Sequence, residues 1–296
     1  MSRFLVGIGA VVSVVGDDAS VWERRTELAA GEGPDYLEVW VEHWRGNRFL
    51  LEERGPDLRR ILSALPVILH APFLWSSLVT PHPALREYAL GEAMATIDLA
   101  EFLGAKVVTL HGGVVYAKPL LPEARPDEIL AENLDRLVRR ARSAGTTLAI
   151  ENCPGVGGLP PAVVYPKTTA DLCAVVARTP GVRATLDIGH ALQNNESPVA
   201  ALRRALPVLE NIHLHDMTSQ GVAHQELGTG VLDVDDFLQE LVDGAYQGHL
   251  TLEVSDPSDD KAKILRSFRL VRASLARILG RLEASRRGAG PRARRP

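Results

Sequence analysis

Residues 183–190 read Arg-Ala-Thr-Leu-Asp-Ile-Gly-His, a short apolar and β-branched run that ends in a carboxylate and is followed closely by a histidine. Runs of this kind are typical of strands buried in a parallel sheet. The pattern recurs, and the run starts lie about 28 to 40 residues apart. The eight predicted strands are Phe4–Ile8, Tyr36–Trp40, Val67–Leu69, Val107–Leu110, Thr147–Ile150, Arg183–Leu186, Asn211–Leu214 and His249–Val254.

The segments between these runs have the pattern of helices. Apolar residues recur at helical spacing between Pro83 and Gly104, and again between Pro126 and Ala144. Eight strand and helix units predict a single (β/α)8 TIM barrel, a fold of about 250 residues, which we assign to residues 1–282. Residues 283–296 contain five arginines and two prolines, and we expect a disordered basic tail there.

The composition excludes several classes of protein. The chain has 296 residues, 46% of them hydrophobic, and no apolar run approaches the roughly 20 residues that a membrane-spanning helix needs. We therefore expect no membrane association. Residues 1–10 lack the pattern of a secretory signal, and two distant cysteines make no disulfide framework, so we expect a cytoplasmic protein. The net charge of −4 gives no general reason to expect nucleic acid as a partner.

Two further enzyme classes lack their sequence signals. No Gly-x-Gly-x-x-Gly motif follows the first predicted strand, so a nicotinamide cofactor is not expected. No lysine closes a predicted strand, which disfavours a Schiff-base aldolase.

Ionisable residues close most of the predicted strands. In a parallel barrel the strand ends that carry the βα loops build the active site, so these side chains are expected to meet at one mouth of the barrel. Each residue alone has an ordinary explanation, such as a helix cap or a buried structural histidine. The residues at or just after the strand ends are His70, His111, Glu151, Asp187, His190, His213, His215 and Glu253.

Four or more histidines and three carboxylates in one cavity would be costly to bury without a cation among them. We therefore predict a site for one or more divalent metals. Mixed nitrogen and carboxylate ligands suit Zn²⁺, Mn²⁺, Co²⁺ or Fe²⁺, whereas Mg²⁺ prefers an all-oxygen shell and is less favoured. Cys153 is interpreted as a packed thiol and not as a ligand.

The strand-end motifs resemble the xylose isomerase-like barrel superfamily, which includes sugar and sugar-phosphate isomerases and epimerases, inosose dehydratases and type IV AP endonucleases. The resemblance extends over about Phe4–Leu282, and it is specific for the superfamily but much less so for the reaction. The motifs are His70–Phe73 (His-Ala-Pro-Phe), Leu110–Gly113 (Leu-His-Gly-Gly), Ile150–Asn152 (Ile-Glu-Asn), Asp187–His190, His213–Asp216 (His-Leu-His-Asp), His224–Gly230 (His-Gln-Glu-Leu-Gly-Thr-Gly) and Glu253.

The resemblance to the sugar-epimerising members implies a single Mn²⁺-like ion and a proton-transfer reaction. The implied metal ligands are Glu151, Asp187, His213 and Glu253. Glu151 and Glu253 are the implied acid and base, on opposite faces of a substrate that passes through a metal-stabilised enediolate. His190 is expected to reach the substrate oxygens. Dehydration is a close alternative because it begins with the same proton abstraction.

The resemblance to the AP endonucleases implies a trinuclear zinc site instead. Histidines matching His70 and His111 join the glutamate at one zinc, and histidines matching His190 and His224 hold the third, with an aspartate two residues before the latter. This chain has Val222 at that position, and valine cannot bind a metal. The third metal is therefore missing, weakly bound, or held by a substitute such as His215 or Asp216.

The leading hypothesis is a divalent-metal-dependent isomerase or epimerase, or a related dehydratase, that acts on a small sugar or keto-polyol. The second is a metal-dependent phosphodiesterase that acts at abasic DNA. The third is a barrel that binds a ligand without turnover. Residues 227–230 are interpreted as a turn, so no phosphorylated substrate is assumed. Barrels of this superfamily often associate, which makes a homo-oligomer an open alternative.

Overall fold

The computed structural model describes residues 6–14, 16–31, 33–116, 125–155, 162–254 and 261–288. Eight parallel strands close into a barrel, because β1 pairs with β2 on one side and with the last strand, β10, on the other. The prediction of a (β/α)8 barrel is confirmed. The barrel strands are β1 Gly7–Val14, β2 Tyr36–Val41, β3 Val67–His70, β4 Val107–His111, β6 Thr147–Glu151, β8 Val182–Asp187, β9 Leu209–Leu214 and β10 His249–Leu252.

Helices cover the outside of the barrel between successive strands. Their apolar faces pack on the strands, and Trp22, Phe237 and Phe268 are among the fully buried side chains of this layer. The helices are α1 Ala19–Ala30, α2 Asn47–Ile61, α3 Pro83–Leu103, α4 Pro126–Ala144, α5 Thr169–Arg178, α6 Ile188–Gln193, α7 Pro198–Ala205, α8 Val234–Asp243 and α9 Lys261–Gly288. No helix in the described ranges is both long and apolar enough to span a membrane.

The first strand lies later in the chain than the sequence pattern predicts. We expected Phe4–Ile8, but the strand is Gly7–Val14, and residues 4 and 5 lie outside the described residues. The parallel registers with its two neighbours set these bounds, because Gly7 lies beside His249 of β10 and Val14 lies beside Val41 of β2. Pairing with a neighbouring strand, not hydrophobicity, therefore decides where this strand lies.

The end of the chain also differs from its expected boundary. Helix α9 extends to Gly288 and so includes six residues of the segment that we expected to be a disordered tail. Alanine, arginine and glutamate in residues 283–288 are good helix formers, and they continue a helix that is already packed on the barrel. Residues 289–296 lie outside the described part of the chain.

A second, small sheet lies beside the barrel mouth. Strands β5 Gly113–Tyr116 and β7 Ala162–Tyr165 pair antiparallel, and neither was predicted. Gly113 has a φ of +123°, and a Cβ at this position would lie 2.4 Å from Oγ of Ser77. Only glycine fits there, so the Gly112–Gly113 pair lets the chain leave β4 and pass close to the loop after β3.

Candidate active site

The ionisable strand-end residues meet at the carboxyl end of the barrel, as the sequence predicts. A cavity of about 430 Å³ opens there and contains several of them in its lining. The lining histidines and glutamates are His70, His111, Glu151, His190, His224 and Glu253. Asp187, His213 and His215 are fully buried beside this lining. The structure therefore brings every predicted site residue to one end of the barrel.

Glu151, at the end of β6, lies at the centre of the cluster. Its Oε2 is 3.2 Å from Nε2 of His70 and 3.0 Å from Nε2 of His111. Its Oε1 faces the other side, 3.3 Å from Nδ1 of His213 and 3.2 Å from Nδ1 of His190. One carboxylate thus connects the histidines of β3, β4 and β9 with the histidine that follows Asp187.

Three buried atoms converge without hydrogen-bond partners. Nδ1 of His213 lies 3.3 Å from Oε1 of Glu151 and 3.2 Å from Oε2 of Glu253. Among the described residues, none of these three atoms has a hydrogen-bond partner. Oδ2 of Asp187 lies 3.8 Å from the same Nδ1. Buried polar atoms are nearly always satisfied, so their convergence fits a cation held between them.

Glu38, in the middle of β2, fixes the orientation of His213 and was missed by the sequence analysis. Its Oε1 accepts a hydrogen bond from Nε2 of His213 at 3.0 Å, which places a proton on Nε2 and turns Nδ1 toward the site. Its Oε2 accepts from Asn211 at 2.9 Å and from Thr251 at 2.6 Å. A carboxylate behind a histidine in this way is the usual support of a metal-binding imidazole.

Asp187, at the end of β8, contacts both the helix that follows it and a histidine after the next barrel strand. Its side chain caps helix α6, because Oδ1 accepts from the backbone N–H of His190 at 2.5 Å. Its Oδ2 lies 3.1 Å from Nε2 of His215. Gly189 makes this pairing possible, since a Cβ there would lie 1.7 Å from Cε1 of His215. The Asp-Ile-Gly-His motif therefore needs its glycine for the histidine on the next strand.

His190 and His224 both present Nε2 to the cavity. Nδ1 of His190 lies 2.9 Å from the carbonyl oxygen of Asn152, and Nδ1 of His224 lies 3.1 Å from that of Glu253, so each Nδ1 carries a proton and donates. His224 has a φ of +55°, a conformation that is uncommon for residues other than glycine. Such backbone strain often marks functional positions.

His215, the possible substitute for the aspartate that the chain lacks, has partners at both ring nitrogens. Its Nδ1 accepts the backbone N–H of His224 at 2.9 Å, so its proton lies on Nε2, which faces Asp187. This histidine therefore positions Asp187 and the backbone of His224. Val222 is 57% exposed, and its apolar side chain provides no carboxylate at the position where the aspartate is expected.

Mutual electrostatics shift the pKa values of the cluster strongly. Burial acts to raise the pKa of Glu151, but His111 and His213 outweigh it and hold that pKa well below its usual range. Burial is likewise opposed at Glu253, where His213 lowers the pKa to about 2. Burial alone would lower the pKa of the histidines, yet the carboxylates raise that of His213 well above its usual value and that of His190 to about 9.

Protons on these histidines balance the buried carboxylates in the metal-free protein. A divalent cation that displaces the protons would supply the same positive charge. Among the residues that the structure describes, ligand atoms within 4.8 Å of one another form four groups of three, namely Glu151, Asp187 and His213; Asp187, His215 and Glu253; His70, His111 and Glu151; and His190, His215 and His224. Oε2 of Glu253 lies 3.2 Å from Nδ1 of His213 in the first group, so the four residues predicted as metal ligands lie next to one another.

The barrel fold agrees with the comparison with known protein families. The family model described as xylose isomerase-like TIM barrel matches residues 26–274. The chain belongs to this family. Among curated relatives, an uncharacterised protein of Methanocaldococcus jannaschii is 24% identical over 245 residues, which cover 81% of this chain and 82% of that protein.

Solved structures of sugar epimerases share the xylose isomerase-like fold of this chain. A D-tagatose 3-epimerase-like protein is 19% identical with a TM-score of 0.79, and the match covers 94% of this chain and 100% of that one. L-ribulose 3-epimerase is 18% identical with a TM-score of 0.78, over 98% and 100% of the two chains. At these identities the likeness shows the fold alone.

In this xylose isomerase-like barrel, the backbone N–H groups of the glycine-rich turn at residues 227–230 form hydrogen bonds within the protein. The backbone N–H groups of Gly228 and Gly230 donate to Oδ2 of Asp216 at 3.0 and 2.9 Å. The N–H groups that a phosphate would need are therefore already used.

Cys153 is buried against the cavity, and burial raises the pKa of its thiol.

A second carboxylate missed by the sequence analysis holds the loop that borders the cavity. Glu42 follows β2 and is buried, and its Oε2 accepts from the backbone N–H groups of Phe73 and Leu74 at 2.7 and 3.2 Å. The ring of Phe73 stacks on His111, with ring centroids 4.7 Å apart. Glu42 thus ties the loop after β3 to the histidine layer. A glutamate just past a buried strand was the one available signal.

Proposed function

We propose that this chain is a divalent-metal-dependent isomerase or epimerase that acts on a small sugar or keto-polyol. One observation carries the proposal. Oε1 of Glu151, Nδ1 of His213 and Oε2 of Glu253 converge unpartnered next to a cavity that is open to a small ligand. Concave sites with a few convergent polar groups are the usual form of small-molecule sites.

The proposed metal ligands are Glu151, Asp187, His213 and Glu253. Their mixture of one imidazole nitrogen with carboxylate oxygens favours Mn²⁺ or Zn²⁺ and is compatible with Co²⁺ and Fe²⁺, and less so with Mg²⁺. When bound, the metal supplies stabilisation of the negative charge that develops on the substrate oxygens. By accepting from Nε2 of His213, Glu38 directs Nδ1 at the site, where that nitrogen would bind the metal after losing its proton.

The two glutamates are the proposed acid and base. Both line the cavity, and their low pKa values in the metal-free protein keep them in the carboxylate form. One accepts the proton from the carbon next to the carbonyl, which gives an enediolate. The other first takes up a proton from water in the cavity and then donates it to the opposite face, and the first glutamate returns its proton to water. His190 and His224, which present Nε2 to the cavity, form hydrogen bonds with substrate hydroxyl groups. The similarity to a D-tagatose 3-epimerase-like protein and to L-ribulose 3-epimerase supports this reaction class.

Solvent exchange tests the proposal because it reports proton abstraction whichever product forms. The metal-loaded protein is incubated in D₂O with D-tagatose and with L-ribulose, and NMR follows deuterium at the carbon next to the carbonyl. We expect deuterium incorporation together with the epimer, whereas loss of water would identify a dehydratase. Glu151→Gln should abolish the exchange. Ketose binding without any exchange in the wild type would instead support a barrel that binds a ligand without turnover.

A metal-dependent phosphodiesterase that acts at abasic DNA is the second candidate. The group His70, His111 and Glu151 favours it, because these residues offer donor atoms for a metal beyond the proposed one. Against it stand the exposed Val222 and the engagement of His215 Nε2 with Asp187. The phosphodiesterase would bind three equivalents of metal and cleave an abasic duplex with steep salt dependence. The epimerase would bind one and leave the duplex intact.

A further inference from the structure

The cavity has two chemically different parts. Its inner part contains the histidines and glutamates of the barrel end. Its outer part, called the apolar wall here, consists of Phe73, Leu74, Trp75, Leu85 and Tyr116. Trp75 is 66% exposed and Leu85 is 58% exposed. Exposed apolar groups of this size that border a cavity usually mark a binding surface.

The apolar wall is held in place by the surrounding backbone. Glu42 accepts the N–H groups of Phe73 and Leu74, and Phe73 stacks on Trp40 with ring centroids 5.2 Å apart. Farther along the loop, Ser77 Oγ donates to the carbonyl oxygen of Val114 at 3.0 Å and accepts from its backbone N–H at 3.1 Å. These contacts join the loop to β5, so the backbone that carries Phe73, Leu74 and Trp75 is held in place before a ligand binds.

Charge separates the two parts of the cavity as well. Within the described part of the chain, no lysine or arginine lines the cavity, and the histidines and glutamates of the lining all belong to the inner part. Hydroxyl groups near the wall are partly used, since Ser76 Oγ donates to the carbonyl oxygen of Pro72 at 2.6 Å. An anionic group on the wall would therefore lose hydration and gain no ion pair from the lining residues that the structure describes.

We propose that the ligand of this site is an uncharged keto sugar or keto-polyol with an apolar substituent, such as an aryl or alkyl group. Glycosides that lack a free carbonyl can report binding of the substituent without reacting. The sugar end contacts the histidines and glutamates, and the substituent packs against the apolar wall. The inference rests on the proposed function for the sugar end. The continuity of one cavity from Glu151 to Trp75 favours a small molecule that occupies both parts over a protein partner on the wall alone.

A matched pair of glycosides tests this inference on the full-length, metal-loaded protein. Isothermal titration calorimetry measures the dissociation constants of methyl and phenyl β-D-glucopyranoside, with D-tagatose and glucose 6-phosphate as references. We expect the phenyl glycoside to bind at least roughly tenfold more tightly than the methyl glycoside, because burial of a phenyl-sized group typically contributes this much or more. Glucose 6-phosphate should bind no more tightly than the methyl glycoside.

Two tryptophan variants identify the surface responsible. Trp75→Ala should reduce the ratio of the two glycoside affinities by roughly fivefold or more. Trp44→Ala is the matched control, because Trp44 is 69% exposed, donates to Asp17 and does not line the cavity, so the ratio should not change. Thermal unfolding of both variants checks that they are folded.

Several outcomes would overturn the inference. If D-tagatose binds but the two glycosides bind equally, the apolar substituent is wrong and the proposed function stands. Tighter binding of glucose 6-phosphate than of the methyl glycoside would show that the outer part of the cavity binds an anion instead. If Trp75→Ala converts an oligomer to a monomer and leaves the ratio unchanged, the wall is an interface between copies. If none of the sugars binds, both the inference and the proposed function fail.

Discussion

Oε1 of Glu38 lies 3.0 Å from Nε2 of His213, and both side chains are fully buried inside the barrel. Burial acts to raise the pKa of Glu38, but the interaction with His213 outweighs it and lowers that pKa, so Glu38 stays ionised. The pair defines which nitrogen of His213 faces the site. Metal affinity should therefore depend on a residue that does not contact the metal.

Glu38→Gln should weaken metal binding without removing a metal ligand. The amide carries no charge, and its single oxygen cannot accept from His213, Asn211 and Thr251 as the carboxylate does. Loss of such a supporting carboxylate typically costs about 10-fold to 100-fold in metal affinity. Calorimetric titration with Mn²⁺ or Zn²⁺ measures the dissociation constant. Glu53→Gln, on the exposed face of α2, is the control, and equal affinities of the two variants would contradict the role of Glu38.

Gly189→Ala should destabilise the protein strongly. The added Cβ would lie 1.7 Å from Cε1 of His215, so the ring must move away from Asp187. Overpacking of this kind typically costs about 1 to 3 kcal/mol or more. Gly91→Ala is the matched control, since it lies within helix α3 with nothing within 4 Å of its Cβ and should stabilise by roughly 0.5–1 kcal/mol. Urea unfolding of both variants gives the free energies, and equal values would refute the steric explanation.

The pH dependence of stability should differ between the metal-free and metal-loaded protein. In the metal-free form the pKa of His190 is raised to about 9, so its contribution is complete below the unfolded value of about 6.5 and is lost as the pH rises through 9. The pKa of Glu253 is lowered to about 2, so its contribution is present above about 4.5 and is lost as the pH falls. The metal-free protein should therefore be most stable between about pH 4.5 and pH 6.5, where both contributions are complete.

Metal binding displaces the histidine protons, so it should become stronger as the pH rises. Thermal unfolding with a chelator and with saturating metal, at several pH values between about 6 and 9, measures the difference. We expect the stabilisation by metal to grow over this range. A stabilisation that shrinks with rising pH would show that the ligands do not lose protons on binding.

The sequence allowed the barrel and most of the site to be predicted. The βα repeat identified eight strands, and the rule that strand ends build the mouth of a parallel barrel placed His70, His111 and Glu151 together. These residues close short apolar runs, so their positions follow from the pattern alone. The first strand was placed too early because its bounds depend on pairing with β2.

Other features depend on contacts that no local pattern contains. Glu38 lies in the middle of an apolar strand, and its role depends on which side chains face it across the barrel from β9 and β10. Strands β5 and β7 were missed because each is short and pairs with a segment far away in the chain. The sequence could name His215 as a substitute metal ligand, but it could not show the contacts of this side chain. In the structure its Nδ1 accepts from the backbone N–H of His224, and its Nε2 faces Asp187.

Metal content of histidine variants tests the central claim most directly. Purified wild type, His213→Ala and His249→Ala are loaded with Mn²⁺ or Zn²⁺, desalted and analysed by inductively coupled plasma mass spectrometry. His249 is the control because it begins β10, at the opposite end of the barrel from the cavity. We predict one equivalent of metal in the wild type and in His249→Ala, and almost none in His213→Ala. A full equivalent in folded His213→Ala would contradict the proposed metal site.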